Sequence, residues 1–267
     1  MIHTTDAVVL RVSPFSRTSH VVTWLSPEHG RVVTAVRGAC RPKSAFLGQY
    51  DLGYTCELLF YAREREGVHA IRSCAPLRLR EGLRGDWRAA AAAAYLCDLA
   101  SRIVQPRLPA GEIAQALEAA LDRLAEGEPA LPVILACEAA LLRQAGLAPN
   151  LGPCPACSAA DGETCRFALA SGRPACHRTA PAAPGEATVA VTPALLRALA
   201  DWLRTGPGDT PPHTAVSPQV ALGLRRFLGI FMDFHLDVPP AVRQAALSWT
   251  EFEPARTDGR TGRGEQA

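Results

Sequence analysis

Cys154-Pro-Ala-Cys157 sets two thiols two residues apart, a spacing at which both can grip one tetrahedral metal ion. Cys165 and Cys176-His177 follow. A complete structural zinc site of this type reads CxxC, about 15–20 residues, CxxC. Eighteen residues separate Cys157 from Cys176, but Thr179 stands where the last thiol belongs. One reading is a zinc knuckle at about residues 150–180, with Cys154, Cys157 and Cys176 as ligands. Cys165 or His177 would substitute for the fourth, with Asp161 and Glu163 as further candidates. A metal-free remnant of such a knuckle is the competing reading. Pro153 to Cys157 also forms half of the zinc deaminase signature, but that chemistry needs HxE to supply a ligand and a general acid/base. None of the seven histidines has Glu two residues later, so deamination is excluded.

The second group is cationic. Arg37, Arg41 and Lys43 share the run Gly38-Ala-Cys-Arg-Pro-Lys-Ser44, with Arg31 just before and Arg11 and Arg17 earlier. The run is not a phosphate loop. Pro42 replaces the required Gly before Lys43 and removes a backbone N–H that would hold phosphate. Phe46, Tyr50, Tyr54 and Trp24 lie close by. Cations for phosphates and flat rings for bases are what a single-stranded nucleic-acid groove needs. A solvated loop beside core aromatics fits the same spacing. On the late apolar run, Arg225-Arg226 extends a phosphate track or decorates a solvated face. His213 and His235 read as solvent and helix-end residues, not ligands.

The elements that must position these groups differ along the chain. Ala7–Val12, Val21–Leu25, Arg31–Val36, Thr55–Tyr61 and Val68–Arg72 are short, rich in β-branched and aromatic residues, and bounded by turn signals. Five such strands predict a small barrel of OB or SH3-like type over residues 1–80, with Gly38–Gly53 as a long connection. From residue 82 the apolar spacing turns helical: Gly85–Val104, Gly111–Ala125, Leu131–Ala145, Pro193–Arg204, Pro218–His235 and Pro240–Leu247. The prediction is a multi-domain α+β chain: a barrel at 1–80, an all-helical domain at 81–250 with a loop-like Cys-bearing insert, and a disordered tail at 251–267.

Composition bounds the rest. The 267 residues are 48% hydrophobic and 20% charged, which is ordinary globular usage. The net charge of +2 is uneven: residues 1–80 hold 11 Lys/Arg against 6 Asp/Glu, and residues 81–150 hold 6 against 9. A basic barrel beside an acidic helical segment hints at a polyanion. Of the 28 basic residues, Lys43 is the one lysine, so arginine richness itself reflects a compositional bias. No run resembles a signal peptide or a membrane span, and the cytoplasm is the expected compartment. An odd nine cysteines argue against a disulfide framework, and those from Cys40 to Cys137 read as buried small hydrophobes.

These residues resemble the RecO family of bacterial DNA repair and recombination mediators. The likeness lies in Ala7-Val-Val-Leu-Arg11, Val22 to Arg31, Ala35 to Ala39 with Arg41, Lys43 and Ser44, Leu141 to Leu151 ahead of the cysteines, and Arg226 to Leu236. It runs in order over about residues 1–250. It implies an N-terminal OB-fold and a helical domain with a zinc-finger-like insert, and no catalytic activity. It also implies binding of single- and double-stranded DNA, annealing of complementary strands, and work with RecR and single-stranded-DNA-binding protein in loading RecA, with RecF an indirect partner. A nucleoid-associated protein without membrane contact follows. The family's basic loop carries over onto Arg37, Arg41 and Lys43. The family's dock for the acidic tail of single-stranded-DNA-binding protein falls near 131–146, where Arg143 is the lone cation. The alternative is a protein–protein scaffold that recruits RecR with little DNA binding of its own.

Overall fold

Alternating β-branched residues need both strand edges paired, and a barrel supplies this without leaving an edge. In a computed structural model, which describes residues 1–62, 67–151, 165–175, 182–204 and 217–248, the expected strands all form. They are β1 (Ile2–Ser16), β2 (Ser19–Ser26), β3 (Gly30–Val36), β4 (Thr55–Tyr61) and β5 (His69–Arg78). They close a barrel in the order β1-β2-β3-β5-β4, with β3 and β5 parallel and the other neighbours antiparallel. This is an OB-like barrel. Strand β1 outruns its expected bounds because it serves two neighbours, β4 along Ile2–Val8 and β2 along Val8–Ser16.

A bulge between Val9 and Arg11 lets one strand do both. The extra residue, Leu10, bends β1 and resets its alternation. Ala7 and Val9 fill the barrel with Val22, Trp24, Val32, Cys56, Leu58 and Phe60. Trp24 Nε1 donates to Thr34 Oγ1 at 2.8 Å, which satisfies the one polar atom of that ring. Val8, Leu10 and Leu25 face the other way and join the core of the helical part. Barrel and helices therefore share one continuous apolar contact.

The helices are α1 (Gly82–Gly85), α2 (Trp87–Ile103), α3 (Gly111–Ala125), α4 (Ala130–Gln144), α5 (Pro193–Arg204), α6 (Pro218–Leu236) and α7 (Pro240–Leu247). Central α2 touches β1, β2, α3, α4 and α7, and its alanines permit that close approach. The second half is not all-helical, however. Between α4 and α5 lie β6 (Cys165–Ala168), β7 (Arg173–Ala175) and β8 (Thr188–Val191), an antiparallel sheet in the order β7-β6-β8. Strands of three or four residues are too short for alternation to show, and Pro174 sits on the edge strand, where a missing N–H is tolerated. Phe167 of β6 anchors the sheet edge-on to Phe227 of α6, with ring centroids 5.0 Å apart.

The seam between barrel and helices is stitched through the β2–β3 turn. Arg31 N donates to Gln105 O, Arg107 N to His29 O and Ala110 N to Pro27 O. Gly30 holds φ +63 there, and a Cβ would stand 2.3 Å from Gln105 O and 2.4 Å from Leu108 O. Both the left-handed backbone and the two carbonyls exclude a side chain. Gly30→Ala is expected to lose on the order of 2–3 kcal/mol. The check is a lower urea midpoint at unchanged slope. A shift equivalent to less than about 0.5 kcal/mol, the range of ordinary surface changes, contradicts this account of the seam.

Candidate nucleic-acid interface

The outer face of β1, β2 and β3 follows from register. Arg11 pairs with Thr23 and Thr23 with Val33, while Ser13 pairs with Val21 and Val21 with Ala35. These outward rows of small residues make a shallow surface. Arg11 flanks it on β1. Arg31, at the start of β3, and Arg37, just past its end, keep the same parity as Val33 and Ala35.

The connection from β3 to β4 carries the remaining cations. It folds as successive tight turns, with Arg41 N donating to Gly38 O, Ser44 N to Arg41 O and Leu47 N to Ser44 O. Its inner side, Ala39, Phe46 and Tyr50, packs on the barrel core. Its outer side exposes Arg37, Arg41 and Lys43. Contacts that fasten it to the β1–β2 hairpin include Cys40 N to Thr18 O at 3.1 Å, Gly38 N to Ser19 Oγ at 3.2 Å, and His20 Nδ1 with Tyr50 Oη at 2.8 Å. Arg17, in the turn of that hairpin, is thereby brought to the same end of the barrel. Gly38 lies at φ +69, with the Arg41 side chain across it.

Carboxylates neutralise several cations near the end of β5 and the start of the helices. Arg78 and Arg80 both reach Asp122, at 3.0 and 2.6 Å, and Arg84 reaches Asp51 at 2.9 Å. Among the described residues, Arg11, Arg17, Arg37, Arg41 and Lys43 make no ion pair. Arg31 differs from these five. Its Nη1 donates to Ser101 O at 3.1 Å, in the last turn of α2, where a cation also suits the helix dipole. It braces the seam more than it faces solvent.

The expected aromatic partners are mostly elsewhere. Trp24 and Tyr54 are 0% and 4% exposed, because a small barrel needs its largest rings inside. Phe46 and Tyr50 lean on the same core. The exposed ring at this end is Phe15, which the turn-like Ser13-Pro14 had concealed.

On α6, Arg225 and Arg226 line a groove of about 370 Å³ with Leu222, Ile230 and Arg243 of α7. Burial, aided by the Arg243 charge, lowers the Arg225 pKa, while Arg226 beside it is exposed. Arg143 donates to Leu203 O at 2.8 Å, closing the end of α5. His235 is spent on Leu169 O at 3.0 Å, and His213 lies outside the described residues.

Of the expected zinc ligands, Cys154, Cys157 and Cys176 lie outside the described residues, as do His177, Asp161 and Glu163. Cys165 starts β6, half-buried beside the apolar core. Among the described residues, no group of three or more His, Cys, Asp or Glu could hold one. Cys56, Cys74, Cys97 and Cys137 are buried as expected. Burial pushes the Cys74 thiol up to about 11 and those of Cys56 and Cys97 up to about 12. Cys40 departs from that expectation. It is exposed, with Sγ 3.2 Å from His20 Nε2.

No described helix is long and apolar enough to cross a membrane. The family model "Recombination protein O N terminal" matches residues 1–80, and "Recombination protein O C terminal" matches residues 84–244. Among similar proteins, the DNA repair protein RecO of Anaeromyxobacter sp. (strain K) is 33% identical over 241 residues, covering 89% of this chain and 92% of its own. That of Anaeromyxobacter sp. (strain Fw109-5) is 34% identical over 245 residues, with 89% and 92% covered. That of Myxococcus xanthus is 29% identical over 243 residues, with 86% and 91% covered. With both models matched in order and relatives of one name aligned over nearly their whole length, the chain belongs to the RecO family of DNA repair proteins.

Proposed function

We propose that this chain binds single- and double-stranded DNA on the barrel, anneals complementary strands, and works with RecR to load RecA onto strands coated by single-stranded-DNA-binding protein, in the RecF pathway. The observation that carries the proposal is the group of five cations without carboxylate partners around one open face and loop, whereas Arg78 and Arg80 at the end of β5 are both paired with Asp122. The mechanism is physical. Phosphate contacts hold one strand and release its counterions, and lowered repulsion lets the complement approach. No bond-making step is assigned to any residue. Work on DNA places the protein on the nucleoid, in the cytoplasm.

The test is a salt titration with single strands and duplex. Five phosphate contacts correspond to log–log slopes of about −3.5 for single strands and about −4.5 for duplex. Annealing of complementary oligonucleotides should fall in parallel with binding. Affinity without salt dependence, or none at low salt, overturns the reading and leaves recruitment of RecR as the function.

Zinc is proposed on the Cys154, Cys157 and Cys176 spacing, with thiolate donors suited to that metal. Metal analysis of the purified chain should find about one zinc per chain, lost on replacing Cys154 and Cys157 with Ser. Metal-free protein overturns that assignment and leaves the DNA reading untouched.

A further inference from the structure

We infer that Phe15 is a base-stacking residue that gives this face a preference for single-stranded over duplex DNA. The inference rests on the DNA-binding reading above and adds a contact that charge cannot supply.

An exposed apolar side chain alone means little, because folded proteins show many. Phe15 is set apart by its backbone. Pro14 pairs with His20 and Ser16 with Ser19, so Phe15 is the unpaired extra residue of a second bulge in β1. Bulges near sites re-aim side chains. Here the ring is left 70% exposed. By alternation it continues the outward series of Arg11 and Ser13. Arg17 follows two residues later, and the loop bearing Arg37, Arg41 and Lys43 is bonded to the same hairpin through Thr18 and Ser19. A free aromatic face thus stands among unpaired cations.

In OB-folds the connection between the first two strands is one of the two loops that flank bound oligonucleotides. Stacking on a ring suits single strands, because each unpaired base offers a face that duplex bases have already used on one another. The other aromatics of this end cannot serve in the same way. Trp24 and Tyr54 are in the core, and Tyr50 is held by His20.

The experiment compares the full chain with Phe15→Ala, Phe15→Leu and Phe15→Trp. Each is titrated with a fluorescent oligothymidine and with a duplex of equal length, at three salt concentrations. Phe15→Ala and Phe15→Leu should weaken single-strand binding about tenfold and duplex binding less than about twofold. The salt slope should be unchanged, since no charge is lost. Phe15→Trp should bind single strands at least as tightly as the parent. Parallel thermal melts check folding, which an exposed ring should hardly affect. Equal losses on both substrates, losses in Phe15→Ala that Phe15→Leu restores, or no loss at all overturn the inference. A parent protein that binds neither substrate overturns the DNA-binding reading itself.

Discussion

Replacing Arg37, Arg41 and Lys43 together with glutamate is expected to abolish strand annealing and salt-sensitive DNA binding while leaving thermal stability unchanged. The three side chains are exposed and form no ion pair among the described residues. The loop keeps its shape by other means: its own turn hydrogen bonds, the inward packing of Ala39, Phe46 and Tyr50, and the bonds to Thr18 and Ser19. Exposed substitutions of this kind usually move stability by less than about 0.5 kcal/mol. Binding loses three phosphate contacts, so the single-strand salt slope should fall by about 2. Reversal also sets three carboxylates against the phosphates, and affinity near 0.1 M salt should drop by more than about a hundredfold. Arg31→Met is the informative control. That guanidinium is engaged with Ser101 O, so the variant should lose stability at the seam and little of the salt slope. Unchanged DNA affinity in the triple variant removes the loop from the interface.

The contrast between Arg31 and Arg37 shows how far residue pattern reaches. Both sit at the ends of one strand with the same parity, and pattern alone treats them alike. What separates them is α2, whose last turn arrives about 70 residues later in the chain. The barrel itself was legible because period-two alternation and turn residues act locally, over Val21–Leu25 or Arg31–Val36. Helical spacing in Gly111–Ala125 was legible for the same reason. Burial of Trp24 and Tyr54 was not, since an aromatic beside cations reads as a platform until barrel closure gives it an interior to fill. Phe15 was hidden by the bulge at the end of β1, because a register shift depends on how the partner strand pairs. The β6–β8 sheet leaves no periodic signature because its strands are shorter than one full alternation. Its neighbours Phe227 and Phe231 lie about 60 residues away in α6.

The buried Glu138–Arg243 pair shows the same non-locality at its largest energetic scale. Glu138, in the apolar run of α4, is 0% exposed and accepts from Arg243 Nε at 2.7 Å, Arg243 Nη2 at 2.8 Å and Tyr95 Oη at 2.7 Å. Arg243 Nη1 also donates to Arg225 O at 2.8 Å. One carboxylate thus ties α2, α4 and α7, and the arginine reaches on to α6. Burial opposes the Arg243 charge, but the Glu138 carboxylate and the Tyr95 phenol together hold its pKa above the ordinary value. Burial and the same carboxylate push the Tyr95 phenol up, so it stays a donor. Removing either ion leaves the other desolvated and unpaired. Arg243→Met and Glu138→Leu are each expected to lose about 3–5 kcal/mol, read as a fall in the urea midpoint. A network this closed need not stabilise relative to an apolar core of equal volume. The triple variant Tyr95→Phe, Glu138→Leu and Arg243→Met should therefore recover most of the loss, because it strands no polar group. Recovery with native-like DNA binding would mean that an apolar contact of equal volume docks α7 as well as the pair does. If the triple variant is no more stable than either single change, the contribution lies in packing geometry, and the account of a stranded charge is wrong.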